Sequence, residues 1–408
     1  MHEIGNPSRS GENPAEGIFY LLKMGRGIGN QVRIGAAESI RRRNSPHMLL
    51  HPNSERIHHL CDPEILGAFL CGHGREILEL LLDRNYPVIN HSSSMGVVPG
   101  MGNLLSDDRA VGRMAAEHLL RRGHRSFLVL WYEGRNPHSD RAEGFMEVVR
   151  AQGCSVVAFP NAFAGDYDLH RTHLGYLQGM RALIAGALEK IPLGSGIFAS
   201  NDDLALMVQQ VMALAYPEHL ATSGVLGVDN SAEDFGYMGR LPELSSVVPG
   251  FRQMGAEAMD WLLDHPGPSG KAEVGQLYRR YPPVGVVARA STAAGACADP
   301  VVARMIRWIW SHVQQGRLIT ATELARAHNM SRKTMERRFA QHAGSTPGEL
   351  ILKLRLDLAR DLLRNTSLSI AEISHRCGFA KQDVLSRALR AAEGCTPREY
   401  RGRVTSGE

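Results

Sequence analysis

The chain has 408 residues, a hydrophobic share of 43%, 6 cysteines and a formal net charge of +4. That length exceeds one typical domain and points to two or three. No uninterrupted apolar run reaches the roughly 18 residues that span a bilayer, and the N-terminus lacks a basic and then apolar signal region, so a cytoplasmic protein with no membrane partner is expected.

The cysteines at 61, 71, 154, 297, 377 and 395 form no Cys-x-x-Cys, which argues against a zinc cage or a redox pair, and no cofactor is expected. The charge divides unevenly. From Pro300 onward 19 Lys+Arg face 10 Asp+Glu, a balance of +9, whereas the preceding residues hold 27 against 32, or −5. A basic module beside an acidic one fits phosphate binding confined to the last quarter. Periodic apolar residues run through that quarter, so it is folded rather than a solvated tail.

In chain order, short apolar runs predict strands at 18–22, 47–51, 67–71, 87–90, 126–131, 155–159, 196–200 and 225–228, with amphipathic stretches at 109–122 and 202–215 between them. Strand followed by helix, repeated, predicts a parallel sheet flanked by helices. The run is about twice one doubly wound unit, so two lobes with a cleft at the C-terminal strand ends are expected. Gly25-Arg-Gly27-Ile-Gly29 lacks the Gly-x-Gly-x-x-Gly spacing and the Walker lysine. It reads as a turn at the cleft mouth, with Met24, Arg26 and Asn30 left open as ligand neighbours.

Several pieces here carry a resemblance: Ser106-Asp107-Asp108 with Gly112 and Gly123-His124, then Asp140-Arg141-Ala-Glu-Gly144-Phe145, Ala199-Ser-Asn201-Asp202, Leu226-Gly-Val-Asp229-Asn230 and Leu244-Ser-Ser-Val247. The stretch resembles the periplasmic-binding-protein-like effector domain of the lactose/galactose repressor family. That resemblance implies that Asp107, Arg141, Asn201 and Asp229 line an effector pocket. The side-chain chemistry agrees, because a polyhydroxylated ligand needs bidentate donors and acceptors and an apolar wall, for which Trp131 and Tyr132 are candidates. Asp108 and Asp202 are expected to cap the helices that follow them.

From Leu263 to Cys297 the sequence loosens around His265-Pro-Gly-Pro and Tyr281-Pro-Pro283, with one possible strand at 284–288. The effector domain is therefore expected to span 1–290. The small residues at 291–298 are read as the linker and hinge.

Beyond the linker, Thr320-x-x-Glu323, Thr346-Pro-x-Glu349, Ser369-x-x-Glu372 and Thr396-Pro-x-Glu399 all match the capping box of a helix start. Helices at 322–327 and 331–341, and again at 370–376 and 381–392, predict a duplicated helix-turn-helix within an all-α domain, 299–404. Asn329 and Gly378 supply the turns, because both tolerate positive φ. A helix at 347–364, about 27 Å long, would hold the two recognition helices about one DNA turn apart, about 34 Å.

This segment resembles the reader of the arabinose-operon regulator (AraC/XylS) family, except that Leu385 and Leu389 stand where aromatics are frequent. Candidate contacts with double-stranded operator DNA are Arg332, Lys333, Arg337, Lys381, Gln382, Arg387 and Arg390, at least half of them to phosphate only. Ser331 and Asp383 are expected to cap or orient, and Arg338 to be solvated. Effector domain first and reader last is the order of the xylose-operon activator family, which the chain resembles. The resemblance implies a sugar-responsive transcriptional activator, not an enzyme, that binds a monosaccharide, forms a homodimer and engages RNA polymerase. The alternative is a DNA-binding protein whose effector fold serves only as a dimerisation scaffold or takes a non-sugar ligand.

Overall fold

The computed structural model describes residues 18–22, 26–50, 65–70, 86–133, 136–161, 174–231, 241–267, 270–366 and 368–406. The first lobe begins with β1 (Ile18–Leu22), α1 (Arg26–Arg42), β2 (Met48–Leu50), β3 (Ile65–Leu70), β4 (Val88–Asn90) and β5 (Gly102–Ser106). The chain then crosses to a second lobe of α2 (Asp108–Arg121), β6 (Ser126–Tyr132), α3 (Asn136–Ala151), β7 (Ser155–Asn161), α4 (Leu174–Leu188), β8 (Gly196–Ala199), α5 (Asp202–Ala215), α6 (Pro217–Thr222), β9 (Gly224–Val228) and β10 (Ser245–Val248). It returns to the first lobe for α7 (Phe251–Asp264), α8 (Lys271–Val274) and β11 (Tyr278–Tyr281), and ends in the second with β12 (Gly285–Val287).

Each lobe is built on one six-stranded sheet, ordered β11-β5-β4-β3-β1-β2 and β12-β10-β9-β8-β6-β7. The described pairings are parallel except that of β10 with β12. The central strands β5, β8 and β9 are buried at every position, as strands covered on both faces must be. One expectation changes here. Residues 26–29 form the first turn of α1 rather than a loop, so the reading of a turn at the cleft mouth does not hold there. Met24 lies outside the described residues.

Glycines set the helix spacing. A Cβ on Gly112 would come within 2.0 Å of the Arg141 carbonyl oxygen, and one on Gly144 within 2.2 Å of that of Arg109. Only glycine lets α2 and α3 approach so closely, and that approach carries Arg141 to the start of α2. Gly35 and Gly255 do the same for α1 and α7 in the first lobe.

The last quarter is all helical: α9 (Pro300–Gln314), α10 (Ala321–Ala327), α11 (Arg332–His342), α12 (Pro347–Asn365), α13 (Ile370–Arg376), α14 (Gln382–Glu393) and α15 (Pro397–Ser406). Thr320, Thr346, Ser369 and Thr396 each exchange hydrogen bonds with the glutamate three residues on, so all four capping boxes form. Asn329 and Gly378 adopt φ of 51° and 71° in the two turns.

The long α12 serves two cores. Ile351 and Leu354 enter the cluster of Ile309, Met335 and Phe339, whereas Leu356, Ala359 and Leu363 enter that of Ile373, Leu385 and Leu389. Leu385 and Leu389 are fully buried, so leucine fills the space where aromatics were the alternative.

The segment expected to be a hinge is a packed strap. Residues 290–292 form a 3-10 turn, Ser291 and Thr292 are buried, and Ala293, Ala294 and Cys297 belong to the reader's own hydrophobic core. Their smallness suits close packing between two domains rather than free movement.

Candidate functional site

The polar residues at the C-terminal ends of β5, β8 and β9 converge on one buried guanidinium. Arg141, 2% exposed, donates from Nε to Asp108 Oδ1 at 2.8 Å and from Nη1 to the Ser200 carbonyl at 2.8 Å. Nη1 also lies 3.1 Å from Asp229 Oδ1. That contact has ion-pair distance, yet the carboxylate oxygen receives no well-aligned hydrogen bond among the described residues. Burial pushes the Asp108 and Asp229 carboxyls above the ordinary range, against the pull of Arg141.

A third carboxyl, Asp202, accepts from Ser246 Oγ at 2.7 Å and from the Ser231 amide at 2.7 Å. Burial, reinforced by Asp229, pushes it up to about 8, against the pull of those two hydrogen bonds. One cation shared between Asp108 and Asp229 leaves acceptor capacity over, at Asp229 Oδ1. An aligned hydroxyl would satisfy it, since a buried acceptor without a donor costs about 1–3 kcal/mol.

The helix phases correct two expectations. Asp107, not Asp108, is the N-cap of α2, accepting from the Ala110 amide at 2.9 Å, and Asn201, not Asp202, is the N-cap of α5, accepting from Leu204 at 3.1 Å. Asp108 and Asp202 instead turn into the buried cluster. Asp107 stays part-exposed at the crossover between lobes, its amide bonded to the Tyr281 carbonyl.

Asp229 adopts φ of 100° and Asn230 of 51°, a strained corner at the end of β9 that aims the carboxylate at Arg141. Trp131 packs against the core between the second sheet and helices α2 and α3. Tyr132 faces the other side of the sheet, meets His138 edge-on at 5.2 Å, and His138 Nδ1 pairs with Ser200 Oγ at 2.9 Å. The aromatic group joined to the Ser200–Asn201 corner is therefore Tyr132 with His138.

From this corner a hydrogen-bonded path leads out. Arg289 Nη2 donates to Asn230 Oδ1 at 2.8 Å, and the Arg289 amide to Ser245 Oγ at 2.8 Å. Ser245 Oγ lies 2.8 Å from Thr292 Oγ1, and Arg122 Nη1 holds the Thr292 carbonyl at 3.0 Å. Arg122 Nε donates to His118 Nε2, so that ring is neutral. Burial and the nearby arginines keep it well below the usual histidine range.

The strap then delivers Asp299, which caps α9 through the Val301 and Val302 amides and binds Arg338 Nη2 of α11 at 2.6 Å. Arg338 is thus an ion-pair partner rather than a solvated residue. A cavity of about 1400 Å³ opens beside the strap, between Arg122, Val286, Ala294, Trp310, Lys353 and Arg360. It lies away from the Arg141 cluster. Arg360 there is paired with Asp357 and Glu393, so we read the cavity as the seam between domains and not as the effector pocket.

On the reader, Arg332, Lys333, Arg337, Lys381, Gln382, Arg387 and Arg390 are all exposed, on or beside the faces of α11 and α14 opposite their buried residues. Arg332 is drawn to Glu336 at 2.7 Å, a surface pair worth little. Ser331 caps α11 as expected. Asp383 does not cap, because the N-cap of α14 is Lys381, which makes no side-chain cap bond. Sequence reasoning gave Asp108 and Asp202 to helix caps and passed over Ser246, Arg289 and Asp299, polar residues that are buried or half-buried. The Asp107-Asp108 and Asn201-Asp202 doublets were the signal for the first two.

Comparison with known proteins agrees with this division. Residues 116–292 match the periplasmic binding protein-like domain and residues 324–403 a helix-turn-helix domain. The xylose operon regulatory protein of Escherichia coli (strain K12) is 29% identical over 339 residues, covering 80% of this chain and 81% of its own. That of Haemophilus influenzae is 26% identical over 314 residues, covering 74% and 75%. A solved structure described as the xylose-binding transcription activator xylR covers 95% of this chain and 98% of its own at 25% identity, with a TM-score of 0.58. These relatives are transcription regulators, not enzymes.

Proposed function

We propose that this chain, which like the xylose operon regulatory proteins joins a periplasmic-binding-protein-like domain to an AraC-type helix-turn-helix reader, is a cytoplasmic, sugar-responsive activator of a carbohydrate operon that works as a homodimer. The observation that carries the ligand class is the Arg141 cluster, where Asp108 and Asp229 flank one buried guanidinium at the strand ends and Asp202 lies behind Asp229. Such a cluster offers fixed acceptors and a donor to vicinal hydroxyls. The xylose-binding description of a relative that spans nearly the whole chain favours a pentose.

A sugar seated there would draw the lobes together about the crossovers at 107, 249–250 and 282–284. The motion reaches the reader because the Asp229–Asn230 corner is tied through Arg289, Ser245 and Thr292 to the strap, and the strap through Asp299 to Arg338. Sugar changes DNA affinity only by binding the two conformations unequally. As an activator on tandem sites the bound dimer would contact RNA polymerase.

A thermal-shift panel of monosaccharides tests this reading, since a ligand at 100 times its Kd stabilises by about 2.7 kcal/mol. A shift with a pentose that disappears in Asp229→Ala supports it. Silence across the panel overturns the sugar and leaves the effector fold as a dimerisation scaffold.

A further inference from the structure

The two helix-turn-helix units superimpose in sequence by their buried residues, Met335 and Phe339 corresponding to Leu385 and Leu389, 50 positions on. In that register Arg337 corresponds to Arg387, each at the centre of its exposed face. The first turns differ. Where α11 carries Lys333 and Thr334, α14 carries Asp383 and Val384, both exposed.

An exposed carboxylate on the surface that meets phosphates is repelled by them unless it finds donors. Asp383 has none among the described residues. It caps no helix, and its carboxylate makes no hydrogen bond or ion pair among the described residues, while Arg387 Nε turns to its backbone carbonyl at 3.4 Å. Val384 is 37% exposed beside it, an apolar group next to a carboxylate in the first turn. The N-terminal turn of a recognition helix is the part that enters the major groove deepest. The donors presented there are the exocyclic amino groups of cytosine and adenine, and the apolar group is the thymine methyl.

We infer that Asp383 is a specificity-determining residue of the second half-site, accepting a hydrogen bond from a base amino group, and that Val384 packs on a neighbouring thymine methyl. The first half-site, met by Arg332, Lys333 and Arg337, is read by donors alone. The two halves of the operator therefore differ in chemistry, and one chain imposes a direction on its site. The inference rests on the reader binding DNA and is independent of which ligand the effector domain takes.

The test selects duplexes from a random double-stranded library with the full-length parent chain, Asp383→Asn, Asp383→Lys and Val384→Ala. For the parent, one column of the second half-site should hold cytosine or adenine, and which of the two it holds tells N4 from N6. Where the parent column is cytosine, Asp383→Asn should move it to adenine, whose N6 and N7 suit an amide; from either parent base, Asp383→Lys should move it to guanine or thymine, and that variant decides the test where the parent column is adenine. The parent site should lose roughly 5- to 100-fold in affinity with each, the usual range for one lost base contact. Val384→Ala should relax an adjoining thymine.

Thermal midpoints should stay at the parent's, because Asp383 is exposed and caps nothing. An unchanged motif overturns the proposal, whether affinity is constant or shifts equally for all sequences, as simple phosphate repulsion would make it. A lowered midpoint with an unchanged motif likewise overturns it, leaving Asp383 as a partner of the helix dipole.

Discussion

In the cleft, Arg141 is 2% exposed and held between two carboxylates and a carbonyl, whereas on the reader Arg337, Lys381, Arg387 and Arg390 stand in solvent. Both regions are rich in arginine, yet the physics differs. A guanidinium in the cleft has lost its water and is bound to its neighbours, so its removal disturbs the fold first. The Arg337 and Arg390 guanidiniums on α11 and α14 keep their water, so their removal should leave the fold intact. The contrast teaches that burial decides whether removal of the same residue type disturbs the fold.

Substitution at Arg141 is the most severe way to challenge this contrast. Arg141→Ala leaves Asp108 and Asp229 buried without a cation, and should lower stability by about 3–5 kcal/mol in denaturant unfolding. A loss under 1 kcal/mol would mean that the cluster is open to water. Acid comes next. Burial lowers His91 and His124 to about 4 and His118 well below its ordinary value, all three in the effector domain.

A depressed histidine gives stability that is present above the unfolded value of 6.5 and is lost as pH falls towards the folded value. His91 and His124 thus each contribute up to about 1.4 kcal/mol per pH unit between 6.5 and about 4, His118 acts in the same direction, and the raised Asp202 offsets about one of them. Circular dichroism on acidification should show the effector domain failing before the reader. Simultaneous loss of both domains at pH 6 would contradict the separation.

Arg387→Ala should weaken specific DNA binding by about 1–3 kcal/mol while leaving unfolding within about 0.5 kcal/mol of the parent. Unaltered binding at several salt concentrations would remove Arg387 from the contact surface. The mildest change, Asp299→Ala, sits on the boundary between the regions. It deletes the N-cap of α9 and the partner of Arg338, and should cost about 1–2 kcal/mol. If the strap transmits the state of the cleft, this variant should still bind sugar but respond to it less at the operator. A full response in a footprinting titration would detach Asp299 from the path.

Much of the reader was legible because its signals are local. A capping box needs only residues three apart, and the starts expected at Thr320, Thr346, Ser369 and Thr396 form as read. In the effector domain, strands such as Ser126–Tyr132 and the α5 bounds Asp202–Ala215 were equally readable from their apolar period. The strands Gly102–Ser106 and Tyr278–Tyr281 were not, since neither has a clear period, and they pair with each other at a separation of 175 residues. Likewise, neighbouring acids in Asp107-Asp108 have the same local chemistry. Only the phase of α2 and the close approach of α3 at Gly112 and Gly144 turn one to cap and the other to Arg141.

The chain's order by itself determined that an acidic α/β unit precedes a basic, doubled helix-turn-helix, because periodicity, capping and charge are properties of short segments. Tertiary structure decided which polar groups lose their water: that Asp108 and Asp202 join the buried cluster, that Asp383 stays exposed and uncapped, and that the small residues 291–298 form a packed strap instead of a hinge. Burial depends on what a distant segment lays over a residue, and no local pattern encodes that.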